Sequence, residues 1–177
     1  MTVTRILEPL QYIGLSTDTK PTSGTPGSTF WAYDTNILFE TPDGANWYTK
    51  EIRSIVQPTT IDLQQAAATY DLYTATGGTV YVESFTLTLP AVNVSDDINI
   101  TSIAVATNTA TVINLITSAA GAKANLTANA SFSYSTLFAL PVGKKIQLTI
   151  AGGAADAPTV CTVSCRYQAV TAAAYLA

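Results

Sequence analysis

Val80-Tyr81-Val82-Glu83-Ser84-Phe85-Thr86-Leu87-Thr88-Leu89 decides the fold class. Phe85, Leu87 and Leu89 fall on one face, and Ser84, Thr86 and Thr88 fall on the other. Side chains of a strand point alternately to its two faces, so this period of two describes a strand with one side in a core and one in water. The same pattern returns downstream. In Lys144–Ile150 the inward set is Ile146, Leu148 and Ile150, and Lys145, Gln147 and Thr149 face water. In Val160–Ala169 the inward set is Cys161, Val163, Cys165 and Tyr167. Further strands are expected near Ile61–Leu63, Asp71–Thr74, Ile98–Thr107, Ala110–Thr117, Lys123–Ala128 and Thr136–Leu140. The apolar phase switches between Ile100 and Ile103, which predicts a bulge or bend there.

Turn chemistry separates these runs: Gly77-Gly78, Ser95-Asp96-Asp97, Pro141-Val142-Gly143, and Gly152-Gly153 through Pro158. Only Asp62–Tyr70 has helical character. The expected fold is all-β: an antiparallel β-sandwich, jelly-roll-like, over residues 58–177. Residues 1–57 are expected to form an N-terminal arm and a small aromatic β-meander.

The arm, residues 1–29, is polar and turn-rich, with Ser16-Thr17-Asp18-Thr19-Lys20-Pro21 and Ser23-Gly24-Thr25-Pro26-Gly27. Its apolar anchors are Ile6, Leu7, Leu10, Tyr12, Ile13 and Leu15, so it reads as an extended segment, flexible or ordered only on binding. Thr29–Tyr33, Ile37–Glu40 and Trp47–Lys50 read as three short strands, parted by turns at Asp34-Thr35-Asn36 and Pro42–Asn46. A meander this small buries little alone and leans on the main domain or on a partner.

Composition excludes whole classes of function. The 177 residues include no histidine, which removes His-based triads, His metal sites and the usual pH switch. Net charge −4 lacks the basic stripe that nucleic-acid binding needs. Charged residues are 11% of the chain and threonine occurs 29 times, which predicts strands with neutral surfaces. Met1–Leu10 carries Arg5, Glu8 and Pro9 and has no apolar h-region, and no window approaches the length of a membrane span. A soluble product is expected, with no nucleic-acid and no membrane partner.

Cys161 and Cys165 are four apart in a strand, a span of roughly 13 Å against the ~7 Å that a disulfide tolerates. They read as two buried thiols, with an intermolecular bridge as the alternative, and without the further ligands of a zinc site. Asp96-Asp97 is the one adjacent carboxylate pair and reads as turn solvation, not as a calcium loop. Gly143-Lys144-Lys145 opens a strand and not a helix, so it is a turn and not an anion cradle. The sequons at Asn93, Asn99, Asn125 and Asn129 are the chance yield of a Ser/Thr-rich chain. No catalytic, cofactor or metal residue is expected, and no enzyme.

The aromatic cluster Phe30, Trp31, Tyr33, Phe39, Trp47 and Tyr48 is the candidate site. One reading is a local mini-core and another is a docking surface, since aromatics on a small exposed sheet anchor interfaces. A sugar platform of Trp and Tyr faces is the third. Alternation gives the meander two faces, so the first two can hold together.

The residues around this cluster carry a resemblance. Gly27-Ser28-Thr29-Phe30, Asp34-Thr35-Asn36, Phe39, Asp43-Gly44 and Trp47, after Thr19-Lys20-Pro21, resemble a recurring hairpin of tailed-bacteriophage structural proteins. Asp62–Leu72 and Leu140–Ile146 are similar to phage virion β-domains of the decoration or fibre kind. The resemblance implies a virion component, made in the host cytoplasm, often a homotrimer held by an N-terminal segment. Capsid decoration or cement on the outer shell is the function it implies, with the major capsid protein and itself as partners. The alternative is a head-fibre or tail-tip module that recognises a host glycan, through residues such as Tyr134, Asn93, Asp96 and Asp97. The chain lacks any shaft repeat or coiled coil, which favours a compact knob over a long fibre.

Overall fold

A computed structural model describes residues 9–52, 54–95, 97–170 and 174–177. The expectations for Met1–Glu8 and for Asp96 lie outside those residues. The four strands of the first sheet are β1 (Gln11–Gly14), β2 (Ser28–Ala32), β3 (Ile37–Thr41) and β4 (Tyr48–Ile52), in the order β1-β2-β3-β4. A sandwich follows. It is built from β5 (Ile55–Asp62), β6 (Thr69–Thr76), β7 (Val80–Thr88), β8 (Ser102–Thr107), β9 (Asn114–Ile116), β10 (Ser131–Tyr134), β11 (Phe138–Leu140), β12 (Lys145–Ala151), β13 (Val160–Ala169) and β14 (Tyr175–Leu176).

One sheet of the sandwich runs β10-β7-β13-β5, with β11 also on β7, and the other runs β14-β6-β12-β8-β9. Every pairing within them is antiparallel. From β5 to β14 the chain passes between the sheets at every connection except β8–β9 and β10–β11. The alternating residues form the core between them: Phe85, Leu87 and Leu89 from one sheet, and Ile146, Leu148, Ile150, Ile103 and Val105 from the other, belong to one buried cluster. Cys161, Val163, Cys165 and Tyr167 complete it from β13. The all-β sandwich expected from the alternation is therefore what forms.

Several local expectations are corrected. Asp62–Tyr70 holds the end of β5, a turn and the start of β6, and no helix. Asp62 accepts bonds from the backbone of Gln64 (3.0 Å) and Thr159 (2.8 Å), so its carboxylate caps a turn. Lys123–Asn125 is a single 3-10 turn and not a strand. The apolar phase switch at Ile100 is not a bulge within the strand. Ile100 is buried just before β8, which runs in unbroken register against β12 from Ser102 to Thr107. The sandwich also begins three residues before position 58, at Ile55, because Ile55–Gln57 pairs with Tyr167–Cys165.

The largest correction concerns the arm. Its described part is ordered and is built into the first sheet. β1 pairs in parallel with β2, matching Tyr12 to Phe30 and Ile13 to Trp31. Parallel strands need a connection of about a dozen residues, and the turn-rich stretch 15–27 supplies it. Side chains tie that crossover down: Ser16 donates its backbone N–H and its hydroxyl to the Asp34 carboxylate, each at 2.7 Å. The indole N–H of Trp47 donates to the carbonyl of Pro21 at 2.7 Å, and Gly24 N–H donates to Gly44 O at 2.9 Å. Gly44 has φ +80°, and a Cβ there would lie 2.1 Å from Gly24 O. Only glycine satisfies both conditions.

Candidate functional site

Strand parity splits the six aromatics into two faces. Phe30 and Phe39 are directly paired on one face. Their rings meet edge-on at 6.4 Å, Trp47 meets Phe30 at 6.2 Å, and Tyr12 meets Trp47 at 6.0 Å. Lys20 lies over this group, its Nζ 4.1 Å from the Phe39 centroid and 5.0 Å from that of Phe30. An ammonium over an electron-rich ring face is attracted by the ring quadrupole. This face is the mini-core, and it is separate from the buried cluster of the sandwich.

The opposite face is exposed. Ile13, Trp31 and Leu38 stand side by side on β1, β2 and β3, in register across the sheet. Ile13 is 65% exposed and Trp31 37%, and together with Gln11, Thr29 and Leu38 they line an open groove. Glu40 and Tyr48 extend the face across β3 and β4, Tyr48 being 59% exposed. Lys50 pairs with Glu40 at 3.0 Å, which leaves this end of the face nearly neutral. The indole N–H of Trp31 donates to Asn36 Oδ1 at 3.1 Å, which sets the angle of the ring. Tyr33 sits apart, past the end of β2, where the first sheet meets the sandwich.

The turn that joins β3 to β4 is held by Asp43. One carboxylate oxygen accepts the backbone N–H groups of Ala45 (2.9 Å) and Asn46 (2.7 Å), and the other accepts the Asn46 amide. The Asn46 and Ala45 backbone donors, in that order, pull the Asp43 carboxyl well below the usual carboxylate range. The β2–β3 hairpin contains the opposite case: the Thr35 hydroxyl is buried and, among the described residues, meets no hydrogen-bond partner.

Of the described residues named for a glycan tip, Tyr134 lies apart from Asn93 and Asp97. Tyr134 lies within β10 opposite Phe85 and packs edge-on against Phe138 at 5.9 Å. Asn93 and Asp97 line a different pocket with Asp156. Burial pushes the Asp97 carboxyl up, but the N–H groups of Asp156, Asn99 and Ile100 outweigh it and leave the group below its ordinary value. Asp97 is thus a turn-capping residue. Cys161 and Cys165 are free thiols in the core, each pushed up to about 12 by burial, which keeps them protonated and unreactive near neutral pH.

Sequence reasoning missed Leu38 and Ile13 as members of the exposed row. The alternation against Phe39 carried the signal for Leu38. Nothing local carried it for Ile13, whose place depends on a parallel pairing across the crossover. Lys20 was missed because an ammonium–ring contact leaves no pattern in sequence. No protein-family model matches the chain, and no curated protein sequence is similar to it. Among the described residues no helix is long and apolar enough to cross a membrane.

Proposed function

We propose that this chain is a non-enzymatic virion protein that decorates and cements the outer capsid surface. The observation that carries the reading is the row Ile13, Trp31 and Leu38, with Tyr48 beside it, on the exposed face of the first sheet. A large aromatic flanked by aliphatic side chains on a rigid sheet is the composition of an interface anchor. The resemblance to tailed-phage structural proteins is carried by the same hairpin, through its turns and its opposite face, at residues such as Phe30, Asp34, Phe39, Asp43, Gly44 and Trp47. The neutral, Thr-rich remainder suits close packing against a shell and against further copies, because few ions need desolvation. A protein that binds only the assembled shell stabilises that shell by mass action.

Because β1 and the crossover belong to the sheet, the sheet itself is the docking element in this reading, and a loose arm is not. Quantitative mass spectrometry of purified particles from the source tests the function. A copy number near that of the major capsid protein is expected; complete absence from particles would sink the reading. Trp31→Ala should weaken shell binding by about 2 kcal/mol without lowering the melting temperature of the sandwich.

A further inference from the structure

A second groove, of about 560 Å³, opens where the first sheet meets the sandwich. Its size falls within the roughly 300–1,000 Å³ of small-ligand sites. Tyr33 from the end of β2 and Tyr175 from β14 both line it, 54% and 46% exposed. Asp34, Asn36 and Gln57 line it with them. No lysine or arginine is among the described lining residues, and Asp34 is the one charged side chain.

From this geometry we infer that the groove binds a neutral oligosaccharide. A pyranose ring offers an apolar C–H face and a rim of hydroxyls, so it needs flat apolar surface and bidentate polar groups together. The tyrosines supply the first, each with an amphipathic ring and a hydroxyl at its tip. Asp34 and Gln57 supply the second: a carboxylate has about four acceptor sites, and Ser16 uses one on each Asp34 oxygen.

The site is also held in shape before any ligand arrives. Asn36 accepts the Trp31 indole N–H and donates to Ser54 O at 3.4 Å, bracing the hairpin against the linker to β5. On the sandwich side, the carbonyl of Gln57 accepts the Tyr73 hydroxyl at 2.8 Å. Among the described lining residues the one charged side chain is a carboxylate and none is a cation, which disfavours anionic sugars and sets the class as neutral. The groove is distinct from the Trp31 face, so the inference stands or falls independently of shell docking.

The test is titration of the full chain with neutral tetrasaccharides built from glucose, galactose or N-acetylglucosamine, alongside a sialylated one, followed by NMR. Binding of at least one neutral sugar is expected, with the sialylated sugar at least tenfold weaker. Tyr33→Ala and Tyr175→Ala should each weaken binding tenfold or more, and Tyr81→Ala, at an exposed tyrosine of β7 outside the groove, should leave it unchanged. Tyr175→Ala keeps the test decisive if the hairpin variant is unstable. Failure of every neutral sugar at millimolar concentration would overturn the inference. So would equal binding of the sialylated sugar, or binding insensitive to both tyrosine substitutions.

Discussion

The first sheet and the sandwich reach stability by different means. The sandwich buries a continuous aliphatic cluster between two sheets, in which Phe85, Leu87, Ile146, Leu148 and Ile150 are each almost fully buried. The first sheet has a core of three ring contacts among Tyr12, Phe30, Phe39 and Trp47, one ammonium over two rings, and turns pinned by Asp34, Asp43 and Gly44. A continuous core spreads its stability over many side chains, whereas a mini-core concentrates it in a few. The surfaces follow from this. The sandwich can present neutral Thr and Ser outward, and the sheet is too thin to hide both of its apolar faces.

The two regions also carry separate probes. Trp31 lies in β2 and Trp47 directly precedes β4 and packs on the first sheet, whereas both cysteines lie in β13. Tryptophan fluorescence therefore reports the sheet, and thiol labelling reports opening of the sandwich.

The largest effect is expected from Leu148→Ala. Leu148 sits in mid-β12, paired with Val105 and Tyr70, and is fully buried. The cavity should cost about 2–5 kcal/mol in denaturant melts, and thiol labelling should accelerate. A loss below 1 kcal/mol would mean that the two sheets pack less tightly than described.

Gly44→Ala should come next, acting on the other region alone. It forces an L side chain to φ +80° and into Gly24 O, a strain of about 1–3 kcal/mol. The fluorescence transition should move to lower denaturant while thiol labelling stays put. Equal shifts in both probes would show that the two regions unfold as one unit.

Thr35→Val should stabilise the sheet by about 1 kcal/mol, since it replaces a buried, unmet hydroxyl with a methyl of similar volume. A lower fluorescence midpoint for this variant would show that the hydroxyl has a partner. Acid should give the smallest effect. The folded Asp43 carboxyl is depressed, so its contribution is fully present above the unfolded value near 4 and is lost as pH falls through the folded value. Fluorescence should change in acid before thiols become accessible, and Asp43→Asn should flatten that difference.

Period-two alternation made the sandwich legible. Strands such as Val80–Thr88, Lys145–Ala151 and Val160–Ala169 declare their inward faces residue by residue, because a strand with one wet side must alternate. Short elements were harder. β10 and β14 were not foreseen, since four or two residues show too few repeats, and Lys123–Ala128 imitates alternation while folding as a turn. The aromatic cluster was legible as a group, and its two faces followed from parity once strands were assigned.

The sequence by itself determined the all-β class, the inward sets of β7, β12 and β13, the buried thiols and the grouping of the aromatic cluster. Those are local properties, set by spacing along the chain. Tertiary structure alone decided which strands are neighbours, that the polar lead folds back as a parallel strand, and that Ile13 stands beside Trp31. It also decided that Tyr33 and Tyr175 share one groove. Those arrangements join residues far apart in sequence, and their energy comes from burial and pairing that exist only once the chain has closed on itself.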